Sequence, residues 1–249
     1  MTGDEDEPGA GASPPSDEDA HPLPPEDASL DDSALSGLGS CLQGLFITFE
    51  GLDGCGKSTQ MEMLAQALTD KGYVVTVTRE PGGTPLGEGI RDVLLDPKHH
   101  GMSARAEALL YAAARAHLVQ EVIRPALEDG QIVLCDRYID SSLAYQGYGR
   151  DLGTDYIMLA NDWGTEGLYP DLTLFLDLDD SVRATRLGAV PDRLEAEDEA
   201  FHQRVLKGFR ELLLIHRHRI RRVDANGNAA EVQERVRAII EQELELFSH

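Results

Sequence analysis

The residues Gly51-Leu52-Asp53-Gly54-Cys55-Gly56-Lys57-Ser58, followed by Thr59, carry the spacing G-x-x-x-x-G-K-[ST]. That spacing belongs to a loop that cradles the phosphates of a nucleoside triphosphate. Glycines at 51, 54 and 56 let backbone N–H groups crowd around an anion where a Cβ would collide. Lys57 adds a mobile cation for the β and γ phosphates, and Ser58 offers a hydroxyl to Mg²⁺. Further along, Asp136-Arg137 sets a carboxylate beside a guanidinium. The carboxylate suits a divalent cation, held directly or through water. The guanidinium is a planar fork that takes phosphate oxygens two at a time. Arg79, Glu80 and Arg91 add charged groups between these two segments.

The flanking sequence supplies the elements that must position these groups. Leu45 to Phe49 is an apolar, β-branched and aromatic run that reads as a buried strand. Gln60 to Leu68 is helix-compatible, so a helix starting near Lys57 points its positive end at the bound anion. Val74 to Thr78 is a second β run, stopped by Pro81-Gly82-Gly83. The stop leaves Arg79 and Glu80 at the carboxyl end of the strand, where open α/β sheets hold their ligands. Leu86 to Leu95 has near-helical apolar spacing and carries Arg91. Ser103 to Asp129 is the longest helical pattern, with Ser103 as N-cap, Gly130 as terminator and Pro125 as a point of kinking.

Ile132 to Cys135 is a continuous apolar strand that runs into Asp136, and Leu172 to Leu176 is another, ending at Asp177. A short helix from Ser181 to Leu187, a loop from Gly188 to Asp192 and a helix from Ala200 to His218 follow. A short strand from Ile220 to Val223 and a last helix from Ala229 to Leu246 complete the pattern. Strands alternate with helices, which predicts an α/β fold with a parallel sheet covered on both faces.

Composition narrows the partners. The net charge of the 249-residue chain is −23, and residues 1–40 hold eleven acidic side chains with no Lys or Arg. That segment is also rich in Pro, Gly, Ser and Ala, so it cannot bury enough apolar area to offset chain entropy. Residues 1–43 are therefore expected to form a disordered acidic tail, and 44–249 a single domain. The acidic balance argues against nucleic acid or an anionic membrane as the main partner. The tail lacks the apolar core of a signal peptide, transit peptides are acid-poor, and no apolar run approaches a bilayer span. Cys41, Cys55 and Cys135 are odd in number and scattered, which suits reduced thiols in a cytoplasm. The single tryptophan, Trp163, reads as packing. His99-His100 and His216/His218 lack partners at metal-ligand spacing.

Five further segments narrow the chemistry. They are Arg79-Glu80-Pro81-Gly82-Gly83, Leu110-Tyr111-Ala112-Ala113-Ala114-Arg115, Asp136-Arg137-Tyr138, the run from Ser141 to Arg150, and Asp192-Arg193-Leu194-Glu195. In this order they resemble the bacterial-type thymidylate kinases of the P-loop nucleoside monophosphate kinase superfamily. The resemblance runs from about Leu45 to the C-terminus. It implies a three-layer P-loop kinase fold with a short lid, and transfer of the ATP γ-phosphoryl group to dTMP in dTTP biosynthesis. It further implies Mg²⁺ at Ser58 and Asp136, a homodimer and a cytoplasmic location.

The resemblance also assigns roles. Arg137 and Arg91, with Arg79 and Glu80 nearby, correspond to the groups at the acceptor phosphate. Tyr111 takes the place of the aromatic that stacks on thymine, and Arg115, one turn on, that of the group reaching the base carbonyl. Ser142 and Gln146 resemble the base-contacting polar pair, and Tyr145 the ring beneath the deoxyribose. Asp53 matches the acid that faces the acceptor's 3′-hydroxyl. The loop interior lacks an arginine, so the cation for the moving phosphoryl group is expected in the lid, from Arg186 and Arg193, with Arg183 close by. Two alternatives remain open at this stage: a kinase for another nucleoside monophosphate, and a nucleotide switch. The switch leaves Tyr111, Arg115, Ser142 and Gln146 without a purpose, and the chain has no N-K-x-D guanine motif.

Overall fold

The computed structural model describes residues 44–179, 181, 182 and 192–247. The expected disordered tail, Arg183, Arg186 and most of the Ser181–Leu187 helix and the loop after it lie outside the described residues. Five strands form one sheet in the order β2-β3-β1-β4-β5, every neighbouring pair parallel. They are β1 (Leu45–Glu50), β2 (Val75–Arg79), β3 (Ile132–Asp136), β4 (Leu172–Asp177) and β5 (Ile220–Asp224). The principal helices are α1 (Lys57–Asp70), α2 (Pro85–Leu95), α3 (Ala104–Leu118), α4 (Arg124–Glu128), α5 (Ile139–Ser142), α6 (Thr154–Thr165), α7 (Glu199–Ile215) and α8 (Ala229–Phe247).

Strand periodicity sorts the core into two layers, one on each face of the sheet. Ile47, Phe49, Leu134, Leu174, Leu176 and Val223 pack with Leu64 and Leu68 of α1 and Val236 of α8. Phe46, Val133, Cys135 and Phe175 point the other way, to Leu118 of α3 and to Phe201, Val205 and Phe209 of α7. That second face also buries polar residues. Thr48 and Thr173 share a hydrogen bond of 2.8 Å, Arg219 pairs with Asp140 at 2.7 Å, and Glu50 has no exposure.

Register sets the ligand edge. Asp136 lies opposite Phe49 on one side and Arg79 on the other, so three strand ends open side by side. The groups that follow them, Asp53, Glu80 and Arg137, share the crevice beyond the carboxyl ends of the strands.

The long 103–129 pattern is not one α-helix. Ser103 caps α3 as expected, its hydroxyl accepting from Ala106 N. Over Val119–Ile123 the backbone widens into a π-helical turn before α4 begins at Arg124. Pro125 explains the break, because it has no N–H to donate and its ring would strike the carbonyl four residues back. Between β3 and β4 the sequence reading placed no helices, yet α5, a π-helical stretch over Leu143–Gly149 and α6 all form there. Gly147, Gly149 and Gly164 within them, and the β-branched starts at Ile139 and Thr154, hid them. Trp163 is not packing: it is 87% exposed on α6.

Candidate active site

The phosphate loop leaves β1 at Gly51 and enters α1 at Gly56. Gly51 has φ 138°, and a Cβ there would stand 2.6 Å from the Leu176 carbonyl oxygen, so only glycine fits. Gly56 has φ 98° and caps α1 without a side-chain hydrogen bond, and a Cβ there would project into open space. The first N–H groups of α1 are thus left facing a cradle bare of side chain, the arrangement an anion needs. Lys57 Nζ arches back over the loop, donating to the carbonyls of Gly51 and Leu52 at 3.2 Å each. Cys55 beneath it is buried, and burial pushes its thiol pKa up, which makes it a poor nucleophile.

Ser58 Oγ donates to Asp136 Oδ2 at 2.8 Å, so the two expected metal-facing residues meet although 78 positions apart. Asp136 Oδ1 is buried and has no hydrogen-bond partner. A carboxylate oxygen left bare beside a hydroxyl fits a hard cation such as Mg²⁺, which takes one or two carboxylates and completes its shell with phosphate and water.

Arg137 sits where two clefts meet. Its backbone is left-handed, φ 69°, and its N–H donates to the Phe49 carbonyl. That strained conformation, held by the sheet, aims the guanidinium into the crevice. There it donates to Asp53 Oδ1 at 2.6 Å and to Ser141 Oγ at 3.0 Å, and stacks 5.2 Å from the centre of the Tyr145 ring. Burial opposes ionisation of Asp53, but Arg137 and Lys57 outweigh it and hold the carboxyl well below the usual carboxylate range.

The first cleft, of about 1080 Å³, is lined by the loop residues Asp53, Gly54, Gly56, Lys57, Ser58 and Thr59 and by Asp136. The second, of about 480 Å³, is lined by Tyr111, Ser142, Tyr145, Gln146, Leu95 and Leu194. Asp53, Glu80, Arg91 and Arg137 line both. Two sites joined by two acids and two arginines make a place where an anion can pass from one ligand to another.

The second cleft takes its polarity from a buried layer behind it. Arg115 does not line it. The guanidinium reaches five protein contacts: Glu80 through Nε at 2.7 Å and Nη2 at 2.5 Å, Ser142 Oγ at 2.9 Å, Asn161 Oδ1, and the Tyr138 carbonyl at 3.0 Å. Burial nevertheless outweighs the Arg115 charge at Glu80 and pushes that carboxyl up to about 7. Burial and then Asp140 do the same to Glu50, also to about 7, although Ser141 and the Tyr138 N–H donate to it. Burial and then the Glu107 charge push the Tyr111 phenol up, so it stays neutral.

Several expected site residues take other positions. Arg79 is largely exposed and forms a two-pronged pair with Glu88 at 2.9–3.0 Å at the border of the first cleft. Arg91 donates to the Pro81 carbonyl at 2.9 Å, within both clefts. Arg193, expected over the phosphates, is buried with Nε on the Leu94 carbonyl and Nη1 on Glu107 at 2.7 Å. Sequence reasoning missed Glu50, Glu107 and Asn161. Glu107 alone had a signal, one turn before Tyr111 and two before Arg115 on the same helix face. Burial opposes its ionisation, but hydrogen bonds from Arg150 and Gln146, with Arg193, hold its carboxyl below the usual range.

Comparison with known proteins shows the family. The family model described as thymidylate kinase matches residues 49–236. The thymidylate kinase of an Exiguobacterium species is 52% identical over 198 residues, covering 78% of this chain and 93% of that protein. That of Symbiobacterium thermophilum is 46% identical over 201 residues, covering 80% and 94%. The crystal structure of thymidylate kinase from Ehrlichia chaffeensis superposes with a TM-score of 0.67 at 34% identity, covering 80% of this chain and 98% of that one.

Proposed function

The chain belongs to the thymidylate kinase family, and from that premise we propose how its residues divide the reaction. The enzyme transfers the γ-phosphoryl group of ATP to dTMP, giving dTDP, with Mg²⁺. Residues 44–249 are the catalytic domain, and 1–43 a tail outside it.

Phosphoryl transfer between two phosphates needs little covalent help; it needs alignment and cancelled charge. In our reading the loop from Gly51 to Thr59 holds the ATP phosphates, with Lys57 swinging from its own carbonyls to the β and γ oxygens. Asp136 and Ser58 would hold Mg²⁺, which when bound would supply divalent charge against the triphosphate. Arg137 and Arg91 take the acceptor phosphate. Asp53, kept ionised, accepts from the acceptor's 3′-hydroxyl, and Tyr145 lies beneath the sugar. Tyr111 stacks on the base, while Ser142 and Gln146 face its edge. Arg115 acts one layer back, holding Glu80, Ser142 and Asn161. Arg186 remains our candidate for a lid cation. Arg193, by its present contacts, holds the cleft wall.

The observation that carries this reading is the sharing of Asp53, Glu80, Arg91 and Arg137 by both clefts. Incubation with Mg-ATP and dTMP, followed by phosphorus NMR, should show stoichiometric ADP and dTDP. ATP hydrolysis without dTDP would defeat the proposal.

A homodimer and a cytoplasmic location belong to the same proposal. Tyr156, Leu159 and Trp163 recur at helical spacing on one face of α6, with Leu109 exposed on the adjoining α3. A contiguous apolar face of this kind suits a second copy of the chain. The free, buried thiols of Cys55 and Cys135 suit a reducing compartment.

A further inference from the structure

The Glu107 carboxylate has no solvent exposure. Its Oε1 accepts from Gln146 Nε2 at 2.9 Å and from Arg150 Nε at 3.2 Å. Its Oε2 accepts from Arg150 Nη2 at 2.9 Å and from Arg193 Nη1 at 2.7 Å. Flanked by two guanidiniums, it is ionised, and an ionised carboxylate can only accept hydrogen bonds. A glutamine amide has a donor end and an acceptor end, and its partners decide which way it turns. Gln146 must therefore give its NH₂ to Glu107, which directs its Oε1 away from that carboxylate. Gln146 lines the smaller cleft, with Tyr111 and Ser142.

We propose that Glu107 is the positioning residue that sets base specificity, by locking the Gln146 amide so that it offers an acceptor to position 3 of the pyrimidine. The proposal rests on the reading of that cleft as the dTMP site and deepens it. Thymine carries N3–H, a donor, and satisfies the amide oxygen. Cytosine carries a bare N3, an acceptor, and would set two lone pairs against each other in a buried site. Ser142 strengthens the pattern. Its Oγ already accepts from Arg115 Nη1, which leaves the hydroxyl proton to donate toward a base carbonyl. Thymine has O4 there, and cytosine has an amino group. Glu107 and Arg115, neither of which lines the cleft, thus write an acceptor–donor code on its surface.

The test compares kcat/KM for dTMP and dCMP in wild type, Glu107→Gln and Glu107→Asp. The E107Q amide both donates and accepts, which frees Gln146 to turn over. The dTMP-to-dCMP ratio should fall at least about tenfold, since a site built to hydrogen-bond one edge discriminates through the partners left unpaired. The KM for ATP should not move. E107D keeps an acceptor-only carboxylate, so its ratio should stay within about threefold of wild type even where kcat/KM drops for both acceptors. A purely structural role would lower both acceptors together in either variant. An E107Q enzyme as selective as wild type would overturn the proposal. Should E107Q fail to fold, E107D decides, and loss of selectivity there overturns it. A wild-type enzyme inactive on dTMP would sink the substrate reading itself; an active one with unchanged E107Q selectivity sinks only the role of Glu107.

Discussion

The two ends of the crevice are built on opposite plans. At the donor end the binding groups come from consecutive residues and backbone, and several polar atoms are left free. Asp136 Oδ1 has no hydrogen-bond partner, Lys57 reaches only groups of its own loop (the Gly51 and Leu52 carbonyls, Cys55 Sγ and Asp53), and α1 starts with no side-chain cap. At the base end the walls come from α2, α3, the stretch over Leu143–Gly149 and the segment at Asp192. The charged residues behind them pair mostly with one another, as with Arg115 against Glu80 and Glu107 against Arg150 and Arg193, and only Glu80 Oε1 and Arg193 Nη2 among their buried atoms keep no hydrogen-bond partner. An end with free atoms receives ions. An end with paired atoms holds a shape. The difference separates catalysis from selection, and each can be attacked without the other.

The largest effect belongs to the donor end. Lys57→Ala should lower kcat by at least about 10³-fold for every acceptor, on the scale of losing a cation at the moving phosphoryl group. Melting temperature should barely change, because the lysine makes no contact beyond its loop. A steady-state assay with circular dichroism melting checks both. A variant that loses activity by unfolding would erase the contrast between the two ends.

Arg193→Ala probes the base end. Without it the wall around Asp192 and Leu194 loosens and Glu107 loses one partner. The expected result is a rise in KM for dTMP of about tenfold, with kcat within about threefold of wild type. A fall in kcat of about 10² or more at unchanged KM would return Arg193 to the phosphates.

The buried acids predict a pH dependence. Glu50 and Glu80 both titrate near 7 in the folded protein, burial being the main cause, against about 4.5 as ordinary side chains. A raised carboxyl favours the folded state most below its unfolded pKa, and that contribution drains away as pH rises through about 7. Thermal stability should therefore decline between about pH 5 and pH 8, by on the order of 2 kcal/mol for each group. Glu80→Gln should flatten part of the slope. A profile that rises across this window would contradict the assignment.

The smallest effect on chemistry is expected from the surface. Trp163→Asp should convert a dimer to a monomer by light scattering, with kcat/KM for dTMP within about threefold of wild type, since α6 presents this side chain away from both clefts. A wild-type monomer would remove the apolar face of α6 as an interface.

The same contrast explains what could be read from sequence. The loop at Gly51 to Ser58, the strand into Asp136 and the alternation of strands and helices are local patterns, and the sheet and the donor end follow from them. Ser58 meeting Asp136 follows once the sheet is parallel. Asn161 and Glu50 had no local pattern to betray them, because their importance lies in partners 46–91 positions away, and Glu107 showed only its helical spacing to Tyr111 and Arg115. Arg193 lies away from its expected place for a related reason. A motif names the residue but not the direction of a long side chain, and a buried carboxylate on another helix captured it. The missed helices between β3 and β4 show the converse, a segment whose glycines obscure local propensity and whose helicity is imposed by packing on α3 and α7.

The most direct measurement is a coupled ADP-release assay with Mg-ATP against dTMP, dUMP, dCMP, dGMP and UMP as separate acceptors. The account predicts that dTMP has the highest kcat/KM, that dCMP and dGMP are poor, and that ADP release without acceptor is negligible. A better acceptor than dTMP, or ADP release indifferent to any monophosphate, would contradict it.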